Sequence, residues 1–369
     1  MTRGATQEGT TRYTEKFRGA AAEGHFRQTL NLMVSSVGIG TYLGQPNDST
    51  DASYTAAIVA AVESGLNVID TAINYRLQRS ERTIGTALKV LARKGITRDE
   101  IVVCTKGGYL TPDGTMPADP NQYFFEEYLQ KGIFSAKDIA AGSHCMTPRF
   151  LENQLGRSLK NLQVDCIDVY YLHNPETQLS EIAGAEFLKR VREAFVFLES
   201  AVARDKIQFY GMATWNGFRQ EKSARDAMQV EQLVEIAKEI AGEKHHFRFV
   251  QLPFNLAMTE ALTLGNQAMG AGQKTIMEAA DELGITLIAS ASLLQGQVAQ
   301  NLPVFVAEAM GLENDAERAL QFARSAPGIT TALVGMSRTA HVEANTRLVE
   351  VPPAGLEQFG KLFSRGGEA

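Results

Sequence analysis

The chain has 369 residues, of which 44% are hydrophobic, and a formal net charge of −6. Its 36 basic and 42 acidic residues are well mixed, so no basic stripe could neutralise a phosphate backbone, and we expect no nucleic-acid partner. No apolar run approaches the roughly 20 residues that span a bilayer, and residues 1–24 lack the apolar core of a secretory signal. We therefore predict a cytoplasmic protein with no membrane partner.

The cysteines point to neither a disulfide framework nor a metal site. Cys104, Cys145 and Cys166 form an odd count, with no CxxC pair and no Cys-His pairing at metal spacing. Cys104 and Cys166 fall inside predicted strands, where a cysteine is usually a small buried hydrophobe. We expect no bound metal.

The N-terminal residues 1–29 are polar and turn-rich, which predicts an extended arm packed on the surface of a domain over 30–369. Residues 12–13 and 17–18 are candidate anchors. Apolar positions from Leu30 to Val37, followed by Gly38-Ile39-Gly40-Thr41, predict the first strand and its loop. Further strands are predicted over 67–70, 101–106, 165–172, 206–212, 247–252, 285–289 and 332–334. Helices are predicted over 53–64, 80–91, 148–162, 184–203, 224–241, 273–283, 314–325 and 339–345.

This alternation predicts an α/β fold, a closed (β/α)8 TIM barrel. No Gly-x-Gly-x-x-Gly follows the first strand, and the β-α units fill the length, which disfavours an open sheet. The surplus over the roughly 250 residues of a typical barrel lies in the arm and in residues 109–147. That segment is rich in Pro, Gly, Asp and aromatic residues, with a short helix predicted near 121–131. A loop of this length is often a lid over a site.

Four polar side chains lie at or just beyond the carboxyl ends of predicted strands: Asp70, Tyr75, Lys106 and His173. In a barrel these ends surround one mouth. Singly, each has a structural explanation, as a cap, a surface ion pair or a core histidine. Together they suit acid/base chemistry, because a tyrosine becomes a usable acid at neutral pH only if a nearby cation stabilises its phenolate. Lys106 could supply that cation, Asp70 could hold it, and His173 could hydrogen-bond a substrate oxygen or the phenol.

These residues resemble a known family. The segments 67–75, Thr105-Lys106 and 168–175 are similar to the motifs of the aldo-keto reductases, in order and at fitting spacing, and the likeness runs from about residue 30 to residue 348. The resemblance implies Tyr75 as general acid, Lys106 and Asp70 as the groups that tune it, and His173 as the group that orients the carbonyl. It also implies a nicotinamide cofactor across the mouth, passing hydride to the carbonyl carbon.

The resemblance also implies where the cofactor binds. Residues 333–338, with His341 and Asn345, are similar to the family's segment for the adenosine end. Arg338 would bind a 2′-phosphate, which favours NADP over NAD, although a solvated arginine at a helix N-terminus explains it equally well. The implied cofactor-binding residues are Thr41, Thr214, Gln251, Ser290, Gly335, Ser337, Arg338 and Asn345.

The chain departs from the family pattern at three cofactor positions. Ala213-Thr214 stands where the family usually has Ser-Asn, Ser290 where an aromatic residue stacks on the nicotinamide, and Ala344 where a Glu is common. Gln251, the other carboxamide partner, is present. The loss of these contacts should weaken binding of the nicotinamide by a few kcal/mol or change its position. Trp215 or an aromatic residue from 109–147 could replace them.

The leading hypothesis is an NADP-dependent enzyme that interconverts a carbonyl and an alcohol, with NAD as the alternative cofactor. Its small-molecule substrate is expected to be polar, sugar-like or a secondary metabolite, and a homo-oligomer is left open. The alternative is a nucleotide-sensing regulatory protein with little turnover. A third hypothesis, a Schiff-base lyase or isomerase using Lys106, needs a depressed lysine pKa, and Asp70 would push that pKa upward.

Overall fold

The computed structural model describes residues 4–364. Its strands are β1 (Phe26–Thr29), β2 (Leu32–Ser35), β3 (Val37–Gly40), β4 (Val68–Asp70), β5 (Val102–Gly107), β6 (Ile167–His173), β7 (Ile207–Ala213), β8 (Phe247–Pro253), β9 (Gln267–Met269), β10 (Gly272–Lys274), β11 (Thr286–Ser290) and β12 (Ile329–Gly335). Its α-helices are α1 (Gln7–Glu15), α2 (Asp48–Glu63), α3 (Arg79–Arg93), α4 (Pro120–Phe124), α5 (Pro148–Leu162), α6 (Gly184–Ala203), α7 (Val230–Ala241), α8 (Glu260–Thr263), α9 (Ile276–Leu283), α10 (Val304–Met310), α11 (Asp315–Ser325), α12 (Thr339–Thr346) and α13 (Leu356–Ser364).

Parallel strands close into a barrel in the order β3-β4-β5-β6-β7-β8-β11-β12, which confirms the predicted (β/α)8 fold. Alternate residues of each strand face inward, as the strand period of two requires. Val68, Val102 and Val169 belong to the cluster inside the barrel, whereas neighbours such as Ile69 and Val103 pack in the larger core between the strands and the helices. The carboxyl ends of all eight strands therefore meet at one mouth.

The first barrel strand is shorter than predicted. Val37–Gly40 alone joins the barrel, while Leu32–Ser35 pairs antiparallel with Phe26–Thr29. Leu32 and Val34 belong to the cluster inside the barrel, so this hairpin closes the amino-terminal end. The prediction of one strand from residue 30 is wrong because alternating apolar residues suit a hairpin strand as well as a barrel strand. The reversal needs a left-handed Leu30 (φ 51°), which no sequence pattern marks.

The N-terminal segment is helical, so the prediction of an extended arm is wrong for α1. The Thr6 side chain caps this helix by accepting from Gly9 N. The anchors near residues 12–13 exist: Arg12 Nε donates to Glu100 at 2.8 Å, and the buried Tyr13 hydroxyl donates to Val62 O at 2.5 Å. The division of the chain at residue 30 stays a prediction.

Asp168, near the amino-terminal end of β6, ties this segment to the barrel floor. Its buried carboxylate accepts from Ala5 N at 2.5 Å, Val103 N at 2.7 Å, Arg98 Nη2 at 2.7 Å and Gln208 Nε2 at 2.6 Å. Two backbone amides and two side chains thus converge on one buried charge, the arrangement that makes such a charge tolerable. Although Asp168 lies in a family-like motif, it lies at the end opposite the mouth.

Segment 109–147 packs as a wall with its own small core. Its short helix α4, continued by a π-helical turn over Phe125–Leu129, confirms the helix predicted near 121–131. Tyr128, Phe134 and Cys145 form a buried cluster with Phe150 of α5. Cys145 N donates to Gly108 O at 2.8 Å, which ties the segment's far end to the end of β5.

Other expectations differ from the structure in detail. The helix predicted over 224–241 begins at Val230, and the helix predicted from residue 273 begins at Ile276, after the β9–β10 hairpin. Helices α1, α8, α10 and α13 were not predicted. The cysteines are buried and unbridged. Within residues 4–364, no helix is long and apolar enough to cross a bilayer, and no group of His, Cys, Asp and Glu could hold a metal ion.

Candidate active site

The barrel brings the four predicted catalytic residues together. Asp70 is the last residue of β4, Lys106 is the penultimate residue of β5, and His173 is the last residue of β6. These strands are consecutive neighbours in the barrel. Tyr75 lies on the loop that follows β4, with its ring packed edge-on against His173 at a centroid distance of 5.7 Å.

Lys106 and Asp70 form a buried ion pair. Lys106 Nζ donates to Asp70 Oδ2 at 2.6 Å and to Thr71 O at 2.8 Å. The other carboxylate oxygen of Asp70 accepts from Gln251 Nε2 at 2.7 Å. Burial alone would lower the pKa of Lys106, but the charge of Asp70 raises it above its usual value. Lys106 is therefore a fixed ammonium, and Gln251 holds its partner.

Tyr75 lies beside this ammonium. Lys106 Nζ is 5.0 Å from the centroid of the Tyr75 ring. Burial raises the pKa of the phenol, while the charge of Lys106 and a hydrogen bond with it act in the opposite direction. The phenol is thus protonated at neutral pH, and a cation stands ready to stabilise the phenolate once the proton leaves.

His173 is held neutral and rigid. Burial, followed by the charge of Lys106, lowers the pKa of His173 well below its usual value. The Tyr109 ring packs edge-on against it at 5.1 Å, and His144 Nε2 bonds His173 O at 2.8 Å. Gly108 makes that approach possible, since a Cβ there would lie 2.9 Å from the His144 ring. A neutral imidazole at this place can hydrogen-bond a carbonyl oxygen without competing as the acid.

A cavity of about 860 Å³ opens at the mouth. Asp70, Tyr75 and His173 line it, whereas Lys106 lies behind them and is fully buried. Most of the predicted cofactor residues line it too: Thr41, Thr214, Gln251, Ser290, Gly335, Ser337 and Asn345. Arg338 is exposed at the start of α12 and does not line the cavity.

Sequence reasoning missed several aromatic residues of the cavity wall. Tyr42, Tyr54 and Tyr109 line it, and the Tyr42 ring packs edge-on against Tyr75 at 4.9 Å. The signal for Tyr42 was its place after the glycine-containing loop that follows the first predicted strand, and Tyr109 follows the Gly107-Gly108 pair beyond the predicted strand end at Lys106. Trp215, expected at the mouth, lines the cavity and is 43% exposed. Nothing in the sequence marked the loop over 291–296, which also contributes to the wall.

Polar atoms in the wall suit a polar ligand such as a nicotinamide nucleotide. Among the described residues, buried atoms without a hydrogen-bond partner include Asn74 Oδ1, His173 Nδ1, Thr214 Oγ1 and Ser292 Oγ, all from cavity-lining residues. Buried polar atoms are rarely left unpaired in a native protein. The first turn of α12, beside the lining residues Gly335 and Ser337, adds backbone N–H groups suited to a phosphate. The residues present therefore fit such a cofactor.

Fold and site together define a (β/α)8 barrel protein with a tyrosine, lysine, aspartate and histidine set at its mouth. The model of the aldo/keto reductase family matches residues 36–362. The chain belongs to the aldo/keto reductase family.

Individual relatives are distant. A 6-dehydroglucose reductase of Novosphingobium aromaticivorans is 26% identical over 190 residues, which cover 50% of this chain and 49% of that protein. The chain thus spans about half the length of the curated relatives it matches. An aldo/keto reductase from Klebsiella pneumoniae, solved with NADP and acetate, has a TM-score of 0.59 at 20% identity, covering 90% of this chain and 93% of that one. An aldo-keto reductase from Bacillus halodurans in its holo form has a TM-score of 0.62 at 19% identity, covering 92% and 95%.

Proposed function

We propose that this protein is an NADP-dependent oxidoreductase that interconverts a carbonyl and an alcohol. The buried Lys106–Asp70 pair, set against the ring of Tyr75 at the mouth of a large cavity, is the observation that carries the proposal. It places a protonated phenol and a stabilising cation at a site that a small substrate can enter. The family membership supports the same activity.

The cofactor would be held by residues from several strand ends. Thr214, Gln251 and Ser290 would surround the nicotinamide, while Gly335, Ser337 and Asn345, with Thr41, would bind the remainder. Arg338 would face a 2′-phosphate from its exposed place at the start of α12. The Klebsiella relative, solved with NADP, supports this choice of cofactor.

A nicotinamide held by these residues would supply the hydride for reduction of the carbonyl carbon and would accept it in the reverse reaction. Tyr75 gives its phenolic proton to the carbonyl oxygen, so the substrate gains one hydride and one proton. Lys106 stabilises the phenolate that remains, and Asp70 keeps Lys106 in place. Neutral His173 hydrogen-bonds the carbonyl oxygen and orients the carbon.

The substrate is proposed to be a small polar or sugar-like carbonyl compound. The cavity wall mixes aromatic rings with unpaired polar atoms, and a relative is named as a reductase of a sugar derivative. A cytoplasmic location remains a prediction from the sequence, and a homo-oligomer is left open.

The other two hypotheses are less well supported. The nucleotide-sensor hypothesis is supported by Ala213 and Ser290, which lack the usual contacts to the nicotinamide. This hypothesis gives no role to the complete acid/base set. A Schiff-base enzyme needs a neutral amine, whereas Asp70 raises the pKa of Lys106.

The direct test is a panel of aldehydes, ketones and sugars incubated with the protein and either NADPH or NADH. Loss of the absorbance of the reduced nicotinamide with at least one carbonyl, faster with NADPH, is the expected result. Lys106→Met, checked for folding by circular dichroism, serves as the inactive control, since it keeps an unbranched side chain one atom shorter than lysine and removes the cation. Saturable NADPH binding without turnover of any carbonyl in the panel would favour the sensor instead.

A further inference from the structure

The chain takes a strained path directly after Tyr75. Arg76, Leu77 and Gln78 have φ angles of 47°, 57° and 72°, so three consecutive residues other than glycine adopt the left-handed conformation. Single left-handed residues of this kind are uncommon, and they persist only where surrounding contacts impose them. The contacts that impose this turn also fix the backbone from which Tyr75 projects.

Arg76 makes most of these contacts. Its side chain is 1% exposed, although it does not line the cavity. Nη1 donates to Asp51 at 2.5 Å, Nε to Ser80 Oγ at 3.0 Å and Nη2 to Thr83 Oγ1 at 3.0 Å. The guanidinium also lies 4.9 Å from the ring centroid of Tyr54. One planar group therefore binds both α2 and α3 behind Tyr75.

A chain of hydrogen bonds leads from Arg76 to the strand ends. Ser80 Oγ, which accepts from Arg76, donates to Thr41 O at 2.8 Å. Thr41 Oγ1 in turn donates to Asp70 O at 3.2 Å. These hydrogen bonds thus connect the turn after Tyr75 to the strand that ends in Asp70, the partner of Lys106.

The rest of the turn is held from the opposite side by segment 109–147. Gln78 Nε2 donates to Pro112 O at 3.0 Å, and Gly114 N donates to Leu77 O at 2.8 Å. All three left-handed residues therefore have fixed partners, so the turn is braced on both sides rather than mobile.

We propose that Arg76 is a positioning residue for Tyr75: its guanidinium imposes the left-handed turn that keeps the phenol beside Lys106 and His173. The role assigned to Tyr75 rests on the proposed function, but the placement of its ring does not. Position matters here, because a displacement of about 1 Å in an acid/base group can cost roughly 100-fold in rate.

Arg76→Gly removes the side chain without straining the backbone, since glycine accepts a φ near 47°. The variant therefore tests the contacts of the guanidinium alone. We expect kcat to fall roughly 10- to 100-fold, with KM for NADPH unchanged. Arg76→Lys, which keeps the charge but not the three directed donors, should fall between this variant and the wild type. It also serves as a folded alternative if Arg76→Gly does not fold.

Arg79→Ala is the matched control. Arg79 Nε donates to the same Asp51 at 2.8 Å, but Arg79 is the first residue of α3, and its side chain is 19% exposed, against 1% for Arg76. We expect this variant to lose stability while keeping kcat within twofold of the wild type. Equal effects of the Arg76 and Arg79 variants on kcat would overturn the proposal.

A readout that needs no turnover is a single fluorotyrosine at position 75, observed by fluorine NMR. One narrow resonance is expected in the wild-type and Arg79→Ala backgrounds, and a displaced or broadened one with Arg76→Gly or Arg76→Lys. An unchanged resonance in both Arg76 variants would overturn the positioning role. If no carbonyl is turned over by the wild type, the proposed function fails, while this spectrum still decides the role of Arg76.

Discussion

Lys106 Nζ lies 2.6 Å from Asp70 Oδ2, and both groups are buried at the ends of adjacent strands. A buried pair of this kind costs desolvation free energy, so it is weak evidence for stability in its own right. Because Lys106 lies against the Tyr75 ring, a role in an acid/base site explains the buried pair better than a contribution to stability does.

Removing one member of this pair should be worse than removing both charges. Lys106→Met leaves the Asp70 carboxylate buried without its cation, which should lower the free energy of unfolding by about 3–5 kcal/mol. Asp70→Asn combined with Lys106→Met should recover part of that loss, and both variants should lack turnover. Urea denaturation of the two variants and the wild type measures the difference. A double variant less stable than Lys106→Met would contradict the pairing.

Stability should fall as the pH drops below about 6.5, the usual histidine pKa. Burial lowers the pKa of His144 to about 4 and that of His25 to about 4. Between these values the unfolded chain binds more protons than the folded one, so stability rises with pH, by at most about 3 kcal/mol per histidine. Urea denaturation from about pH 7 down to about pH 4 measures this slope, because the transition runs from the usual histidine pKa near 6.5 to the folded-state pKa of about 4. This slope is expected to be smaller in His144→Gln than in the wild type. An unchanged slope would show that His144 does not cause the dependence of stability on pH.

Asp168→Asn should affect folding and spare catalysis. An amide at this position cannot accept from all four donors and places its own N–H groups among them, so the free energy of unfolding should drop by about 3–5 kcal/mol. Because Asp168 lies at the floor, kcat below the melting temperature should match the wild type. Thermal melts and steady-state kinetics test both halves, and a selective loss of kcat would place Asp168 in the catalytic machinery.

Arg338→Ala should weaken NADPH binding at least roughly tenfold and leave NADH binding unchanged, since only NADPH has a 2′-phosphate to bind the guanidinium. Quenching of Trp215, the only tryptophan, on titration with each nucleotide measures both constants. Equal Kd values for NADPH in the variant and the wild type would mean that Arg338 is a solvated surface residue.

The strand ends could be predicted from sequence because buried parallel strands are short apolar runs, and the polar residue that follows each one is conspicuous. Asp70, Lys106 and His173 were found in this way. The hairpin before β3 could not be separated from a barrel strand, since both show the same alternation and the deciding feature is the backbone of Leu30.

Contacts between distant segments lay beyond sequence reasoning. Arg76 resembles a surface arginine until the fold brings Asp51 and Thr83 to it. His144 lies in a segment without hydrophobic periodicity, and its hydrogen bond to His173 O depends on the absence of a Cβ at Gly108. The cofactor residues predicted around one cavity came from the family resemblance. Arg338 lies exposed at the start of α12, which agrees with the alternative of a solvated arginine at a helix N-terminus.

In the proposed function, Tyr75 donates the proton in NADPH-linked carbonyl reduction. The most direct measurement compares Tyr75→Phe with the wild type for turnover and, in the same preparations, for NADPH binding by Trp215 quenching. We predict a loss of kcat of roughly 100- to 10,000-fold, the range for general acid catalysis, with the Kd for NADPH unchanged. A variant that binds NADPH normally and retains wild-type kcat would contradict the role of Tyr75.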